Sequence, residues 1–161
     1  MRVIRDSLGY LRLDGDALRG AEEAFRQRRY VEAFALLHAL VDWWMIDLYQ
    51  LNEYPSVASH LERVRNLFER EDYRFKPSLK YLLDKTIISP KEYEGLIAFN
   101  KLRDKIIHRL VMYSFQHFEK NRIGQKEVDE GFREGVELVG LLRSQSEAII
   151  RRQSTRSGQS N

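Results

Sequence analysis

The segment from Tyr30 to Leu51 constrains the fold more than any other part of this 161-residue chain. Its apolar residues at helical spacing are Phe34, Leu37, Val41, Trp44 and Leu48. Further apolar residues occupy nearly every other face of the helix that this spacing predicts. A helix that is apolar all round is stable only when other elements surround it. The segment therefore predicts a helical bundle with this helix in its middle.

Helical periodicity also dominates the rest of the chain. The other predicted helices run from Asp16 to Arg29, from Pro55 to Glu71, from Pro77 to Lys85, from Ser89 toward His117, and from about Gln125 to Arg152. The clearest start signal is Ser89-Pro90-Lys91-Glu92, because serine at the N-cap, proline at the first position and glutamate at the third match a capping box. Ile87-Ile88 and Met1 to Leu13 are ambiguous, and no segment is convincing as a strand.

These patterns predict an all-α, single-domain bundle of five or six helices over residues 1–152. Gly131 and Gly135 lie one turn apart in the last helix, and their missing side chains indicate close helix approach rather than a ligand site. Residues 153–161 are polar and small, and we expect them to be a disordered tail.

The charge balance limits how the chain can bind nucleic acid. Lys plus Arg number 27 and Asp plus Glu number 24, giving a net charge of +3. The excess consists of Arg151, Arg152 and Arg156, which lie beyond the last acidic residue, Glu147. A body with balanced charge lacks the basic face of a protein that wraps nucleic acid, so any contact with RNA must be local.

The cysteine count and the hydropathy pattern exclude other classes. The chain has no cysteine, which excludes disulfides, thiolate zinc sites and a cysteine nucleophile, and leaves only histidines and carboxylates for a metal. The first sixteen residues carry several charges and no apolar core of a signal peptide. The most apolar stretch, Ala33 to Ile46, contains His38 and Asp42 and is too short to span a bilayer. We expect a soluble cytoplasmic protein without a membrane segment.

The histidines offer one candidate for catalysis. No two of the four are three or four residues apart, so a helical histidine metal pair is absent. His38 and Asp42 are one turn apart on the most apolar helix; they could form an oriented base, but a core hydrogen bond is favoured. Asp104 and His108 differ by about 40° around a helix, so the carboxylate could orient the imidazole. Lys101 lies on the same side.

Arg103 presents a geometric problem on this helix. It differs from His108 by about 140° and falls in line with the apolar stripe of Phe99, Ile106 and Leu110. A buried guanidinium without a partner is costly. Arg103 must therefore pair with a carboxylate such as Asp42 or Asp47, reach past the helix edge, or lie at an irregularity that brings it beside His108.

The stretch from Arg103 to His108 resembles the signature of the HEPN superfamily, all-helical proteins named for higher eukaryotes and prokaryotes nucleotide-binding. That signature is an arginine followed by four to six residues and a histidine, often with Asn, Asp or His after the arginine. Arg103-Asp104-Lys105-Ile106-Ile107-His108 has the four-residue spacing, with Asp104 in the polar position. The helical layout resembles the family over about residues 16–152.

The resemblance implies a metal-independent endoribonuclease, common among prokaryotic toxins and defence proteins, that needs no cofactor. His108 would then be the general acid or base, Arg103 would stabilise charge on phosphate, and Asp104 would take the polar position. Lys101, Lys105 and Arg109 are the nearby cations that we expect to bind substrate. Two motifs would meet in a homodimer, and a nucleotidyltransferase antitoxin is a candidate partner. The alternative is a non-catalytic helical module that binds a nucleotide or a protein.

Overall fold

A computed structural model of the chain describes residues 2–5, 11–14, 16–53, 74–109 and 123–157. The predicted all-α helical architecture is confirmed, with five α-helices in these ranges. They are α1 (Ala17–Arg26), α2 (Tyr30–Glu53), α3 (Phe75–Asp84), α4 (Pro90–Asp104) and α5 (Gln125–Ser157). A π-helical segment, Lys105–Arg109, follows α4 directly. The predicted helix from Pro55 to Glu71 lies outside the described residues, as does the predicted continuation from Leu110 toward His117.

A short β-hairpin precedes the helices and was not predicted from the sequence. Strands β1 (Arg2–Arg5) and β2 (Leu11–Asp14) pair antiparallel, with Arg2 opposite Asp14 and Arg5 opposite Leu11. Apart from Asp14, both strands fall within the segment Met1 to Leu13, whose pattern is ambiguous between helix and strand. Short apolar runs cannot be assigned by periodicity alone, which is why the sequence left this segment undecided.

The helix starts follow local chemistry that the sequence shows. The Asp16 side chain accepts hydrogen bonds from the backbone N–H groups of Leu18 and Arg19, at 2.8 and 3.2 Å, and so caps α1. The capping box before α4 is confirmed, because the Ser89 N–H donates to Glu92 Oε2 at 2.6 Å and the Glu92 N–H donates to Ser89 Oγ at 3.2 Å. These bonds fix where α1 and α4 begin.

Several helix boundaries differ from the sequence prediction; α1, for example, ends at Arg26 rather than Arg29. Helix α3 begins at Phe75, so Pro77 is its third residue rather than its first, a position in the first turn where proline's missing N–H is still tolerated. Helix α5 begins at Gln125 as predicted but continues to Ser157. Residues 153–157 are therefore helical rather than part of a disordered tail.

The chain divides into two compact units, which we describe separately. The first contains residues 1–40 and 98–136, and the second contains residues 41–97 and 137–161. The described side chains of the first unit form an aromatic core, in which Phe132 stacks on Phe25 at 4.0 Å between ring centroids and meets Phe34 edge-on at 5.9 Å. The core of the second unit is aliphatic and includes the fully buried Met45, Leu79 and Leu96.

Gly131 and Gly135 confirm the predicted close approach of helices in the first unit. A Cβ at Gly131 would lie 1.9 Å from Leu102 Cδ2. A Cβ at Gly135 would lie 2.5 Å from Phe99 Cε2 and 2.6 Å from Leu37 Cδ2. Helix α5 can therefore approach these side chains only because both positions lack a side chain.

The second unit buries polar groups among its apolar residues. Asp47 and Ser146 are both fully buried, and the Ser146 hydroxyl donates to the Asp47 carboxylate. Gln50 is 1% exposed, and its Nε2 has no hydrogen-bond partner among the described residues. Within the ranges that the structure describes, no helix is both long and apolar enough to cross a bilayer.

Candidate functional site

The helix changes its geometry inside the Arg103 to His108 motif. Arg103 and Asp104 are the last two residues of α4, whereas His108 lies in the π-helical segment that follows. In a π-helix each backbone bond reaches five residues rather than four, so residues five apart approach a common face. The π-helical segment is an irregularity of the kind that the sequence left open as one of three possibilities for Arg103, and it begins two residues after Arg103 and includes His108. Single π-turns inside α-helices occur frequently at functional sites.

Arg103 contacts two polar side chains in the first unit. Its Nη1 donates to Asp104 Oδ1 at 2.6 Å, and its Nη2 lies 3.1 Å from His38 Nδ1. The Arg103 side chain is 25% exposed, and that of Asp104 is 46% exposed. Of the possibilities that the sequence left open, Arg103 does pair with a carboxylate, but its partner is the adjacent Asp104 rather than Asp42 or Asp47. The ion pair between Arg103 and Asp104 lies at the surface of the first unit rather than deep in its core.

The guanidinium of Arg103 is incompletely bonded. Its Nε is buried and has no hydrogen-bond partner among the described residues. A guanidinium has five N–H donors in a fixed fork, and the bonds to Asp104 and His38 use two of them. A buried donor left unpaired costs about 1–3 kcal/mol, and such groups in folded proteins often mark a functional site. Arg103 thus has a buried Nε–H without a described partner, on a side chain that is 25% exposed as a whole.

His38 is the neighbour that sequence reasoning did not connect to the motif. It lies on α2, is 6% exposed, and its Nε2 is 2.9 Å from Asn100 Oδ1. Its ring stacks on Phe99 with 6.4 Å between centroids and an interplanar angle of 18°. The favoured interpretation of His38 as a hydrogen-bonded core residue is confirmed. Its contact with Arg103 joins residues 65 positions apart, and no local pattern could have indicated it.

His108 is exposed at the surface of the π-helical segment. None of the described residues forms a hydrogen bond with its imidazole. Asp104 Oδ1 accepts from Arg103, and no hydrogen bond from Asp104 to His108 occurs among the described residues, so the orienting role of Asp104 stays a prediction. The imidazole is consequently open to a ligand from solvent.

The three predicted substrate-binding cations differ in their surroundings. Lys101 is exposed. Lys105 Nζ lies 3.0 Å from Glu127 Oε1 in a half-exposed ion pair. Such pairs at the surface contribute about 0–1 kcal/mol, so a phosphate could displace the carboxylate. Arg109 ends the π-helical segment, and its side chain lies outside the described residues.

Arg103 and His108 are five residues apart in the sequence, with the partly exposed guanidinium near the end of α4 and the exposed imidazole in the π-helical segment. Such a pair can transfer a proton and stabilise a negative charge that forms nearby. Among the residues that the structure describes, no three His, Asp or Glu side chains cluster as a metal site requires.

Comparison with known proteins supplies no relative. No protein-family model matches the chain, and no curated protein or solved structure matches it significantly.

Proposed function

We propose that the chain is a HEPN-type, metal-independent endoribonuclease that cleaves RNA through its own 2′-hydroxyl. The observation that carries this proposal is the partly exposed guanidinium of Arg103, held by Asp104 and His38, five residues before the exposed His108 in the sequence. A core arginine would have its donors satisfied and would be sealed from solvent. An arginine that stabilises an oxyanion needs accessible donors, and the 25% exposure of Arg103, with one acceptor described at each terminal nitrogen, supports that role.

The chemistry requires only these side chains and the substrate. His108 would take the proton of the 2′-hydroxyl, or give a proton to the leaving 5′-oxygen. Arg103 would donate hydrogen bonds to the phosphate oxygens as charge develops on them, and the Asp104 carboxylate would orient the guanidinium. Lys101, Lys105 and Arg109 would bind phosphates on either side of the scissile bond. RNA supplies its own nucleophile, so no cofactor needs to take part.

A homodimer would complete the site. One imidazole serves poorly as both base and acid on opposite sides of one phosphate, whereas two copies of the motif across a twofold axis provide both groups. We propose that the Arg103 to His108 segments face each other at this axis. A cytoplasmic toxin controlled by a nucleotidyltransferase antitoxin would be consistent with such an enzyme.

One observation favours the alternative, a non-catalytic helical module that binds a nucleotide or a protein. The side chain of Arg103 already bonds to Asp104 and His38, so it could have a structural role while the exposed cations bind an anionic partner. In that case RNA or nucleotide would bind without being cleaved. Cleavage and binding therefore have to be measured on the same preparation.

The test is cleavage of RNA by the purified protein in excess EDTA, with analysis of the new ends. We expect 2′,3′-cyclic phosphate or 3′-phosphate ends and 5′-hydroxyl ends. His108→Ala should abolish cleavage with the melting temperature unchanged, because the ring is exposed. Lys91→Ala, an exposed substitution near the start of α4, is the control and should cleave normally. Absence of cleavage at every protein concentration, or equal cleavage by His108→Ala, would refute the proposal.

A further inference from the structure

The two ring nitrogens of His38 contact two residues of α4. Arg103 Nη2 lies 3.1 Å from Nδ1, and Asn100 Oδ1 lies 2.9 Å from Nε2. Arg103 and Asn100 are three residues apart, so both side chains leave the same side of that helix. The imidazole is 6% exposed, so water competes little for either contact.

These partners determine which nitrogen of His38 carries the hydrogen. A guanidinium can only donate, so Nδ1 must present its lone pair to Arg103. The amide oxygen of Asn100 can only accept, so Nε2 must carry the hydrogen. The neutral tautomer with hydrogen on Nε2 satisfies both contacts. The other neutral tautomer would lose both, and an imidazolium would oppose its Nδ1–H to a donor of Arg103.

Packing fixes the imidazole itself. The ring lies parallel to that of Phe99, which is 2% exposed. His38 is therefore a rigid acceptor on one side of the guanidinium, while Asp104 accepts from Nη1 on the other side. The two contacts use one hydrogen on each terminal nitrogen, and among the described residues no acceptor contacts the second hydrogen of either.

We infer that His38 is a positioning residue that fixes the orientation of the Arg103 guanidinium, an inference that rests on the ribonuclease proposed above. If Asp104 were the only acceptor, the guanidinium plane could rotate about the hydrogen bond from Nη1 to Asp104. The second acceptor at Nη2 removes this freedom. The free hydrogens of Nη1 and Nη2 then stay directed toward the position of the phosphate before the substrate arrives.

The kinetic test compares His38→Ala with His38→Gln, whose amide can accept from Arg103 and donate to Asn100. We expect His38→Ala to lower kcat about 100-fold with little change in KM, because misplacing a group that acts in the transition state has an effect of that order. His38→Gln should recover at least part of the loss. Phe34→Leu is the control, because Phe34 packs against the same Phe99 ring, with 6.0 Å between ring centroids, and has no polar side-chain atom. It should retain kcat within a few fold.

A double-mutant cycle separates positioning from general damage. If His38 acts only through Arg103, then adding His38→Ala to Arg103→Ala should cause no further loss of kcat. Losses that multiply would overturn the inference. Equal kcat for His38→Ala and the wild-type protein would also overturn it, while leaving the ribonuclease proposal intact. If the ribonuclease proposal itself is wrong, the wild-type protein will not cleave RNA, and this is seen before any variant is compared.

A second measurement does not depend on activity. Nitrogen-15 NMR of the histidine rings should show His38 as the neutral tautomer with hydrogen on Nε2 in the wild-type protein. In Arg103→Ala the Nδ1 resonance of His38 should shift, because it loses a charged donor. A hydrogen on Nδ1, or a resonance that Arg103→Ala leaves unchanged, would overturn the inference whether or not the protein cleaves RNA.

Discussion

Replacing Gly135 by alanine tests the packing that surrounds the candidate site. The new Cβ would lie 2.5 Å from Phe99 Cε2 and 2.6 Å from Leu37 Cδ2, closer than carbon atoms approach in folded proteins. Leu37 is fully buried and Phe99 is 2% exposed. The phenyl ring cannot bend away, and it contacts both Phe34 and His38. Helix α5 or the ring must therefore move.

The expected magnitude follows from two opposing terms. Overpacking a core by one methyl group costs about 1–3 kcal/mol. Replacing glycine by alanine inside a helix contributes about 1 kcal/mol in the other direction. Gly140 is the matched control, because it lies in the same helix, is exposed, and has nothing within 4 Å of an added Cβ. The propensity term is common to both variants, so their difference isolates overpacking.

We therefore expect Gly140→Ala to be about 1 kcal/mol more stable than the wild-type protein, and Gly135→Ala to lie about 1–3 kcal/mol below Gly140→Ala. For a chain of this size, each kcal/mol corresponds to roughly 2–4 °C in melting temperature. Urea and thermal unfolding followed by circular dichroism measure both variants. Equal stability of the two variants would refute the close approach of α5 to Phe99.

Two further predictions concern local features. Ser89→Ala should lower the free energy of unfolding by about 1 kcal/mol through loss of the α4 cap, whereas Ser144→Ala, an exposed mid-helix control, should change it by less than about 0.5 kcal/mol in urea titrations. Burial, together with the hydrogen bond donated to Glu53, raises the pKa of Tyr81 to about 12. The folded-state pKa of Tyr81 lies above its unfolded value of 10.0. The contribution of Tyr81 to the free energy of unfolding is therefore complete below pH 10 and is lost as the pH rises toward 12. Tyr81→Phe should remove that alkaline loss from the pH dependence of unfolding; an unchanged dependence would contradict the assignment.

Much of the fold follows from local signals in the sequence. The capping box at Ser89 sets the start of α4, and the apolar periodicity after Tyr30 predicts α2 almost to its last residue. These features depend on residues within one or two turns of each other, which a linear pattern records. Gly131 and Gly135 could also be interpreted correctly, since glycine at i and i+4 inside a helix commonly marks a close neighbour.

The arrangement of the candidate site depends on features that a linear pattern does not record. The π-turn after Asp104 leaves no mark in hydrophobic spacing, so the angles worked out for a uniform helix do not apply from Lys105 to His108. The contact between Arg103 and His38 depends on how two helices pack, which residue types on one helix cannot determine. The sequence therefore predicts the motif residues, and the structure shows which side chains contact Arg103.

The paired measurement of RNA cleavage and thermal stability for Arg103→Ala tests the central claim most directly. The substitution removes a partly exposed ion pair and leaves the buried Nδ1 of His38 without its donor, which should cost about 1–3 kcal/mol of stability. Loss of a donor to the transition-state phosphate should lower kcat by about 100- to 1,000-fold. Arg103→Lys keeps the charge without the planar fork and should recover little activity. A folded Arg103→Ala protein that cleaves RNA within a few fold of the wild-type rate would contradict the account.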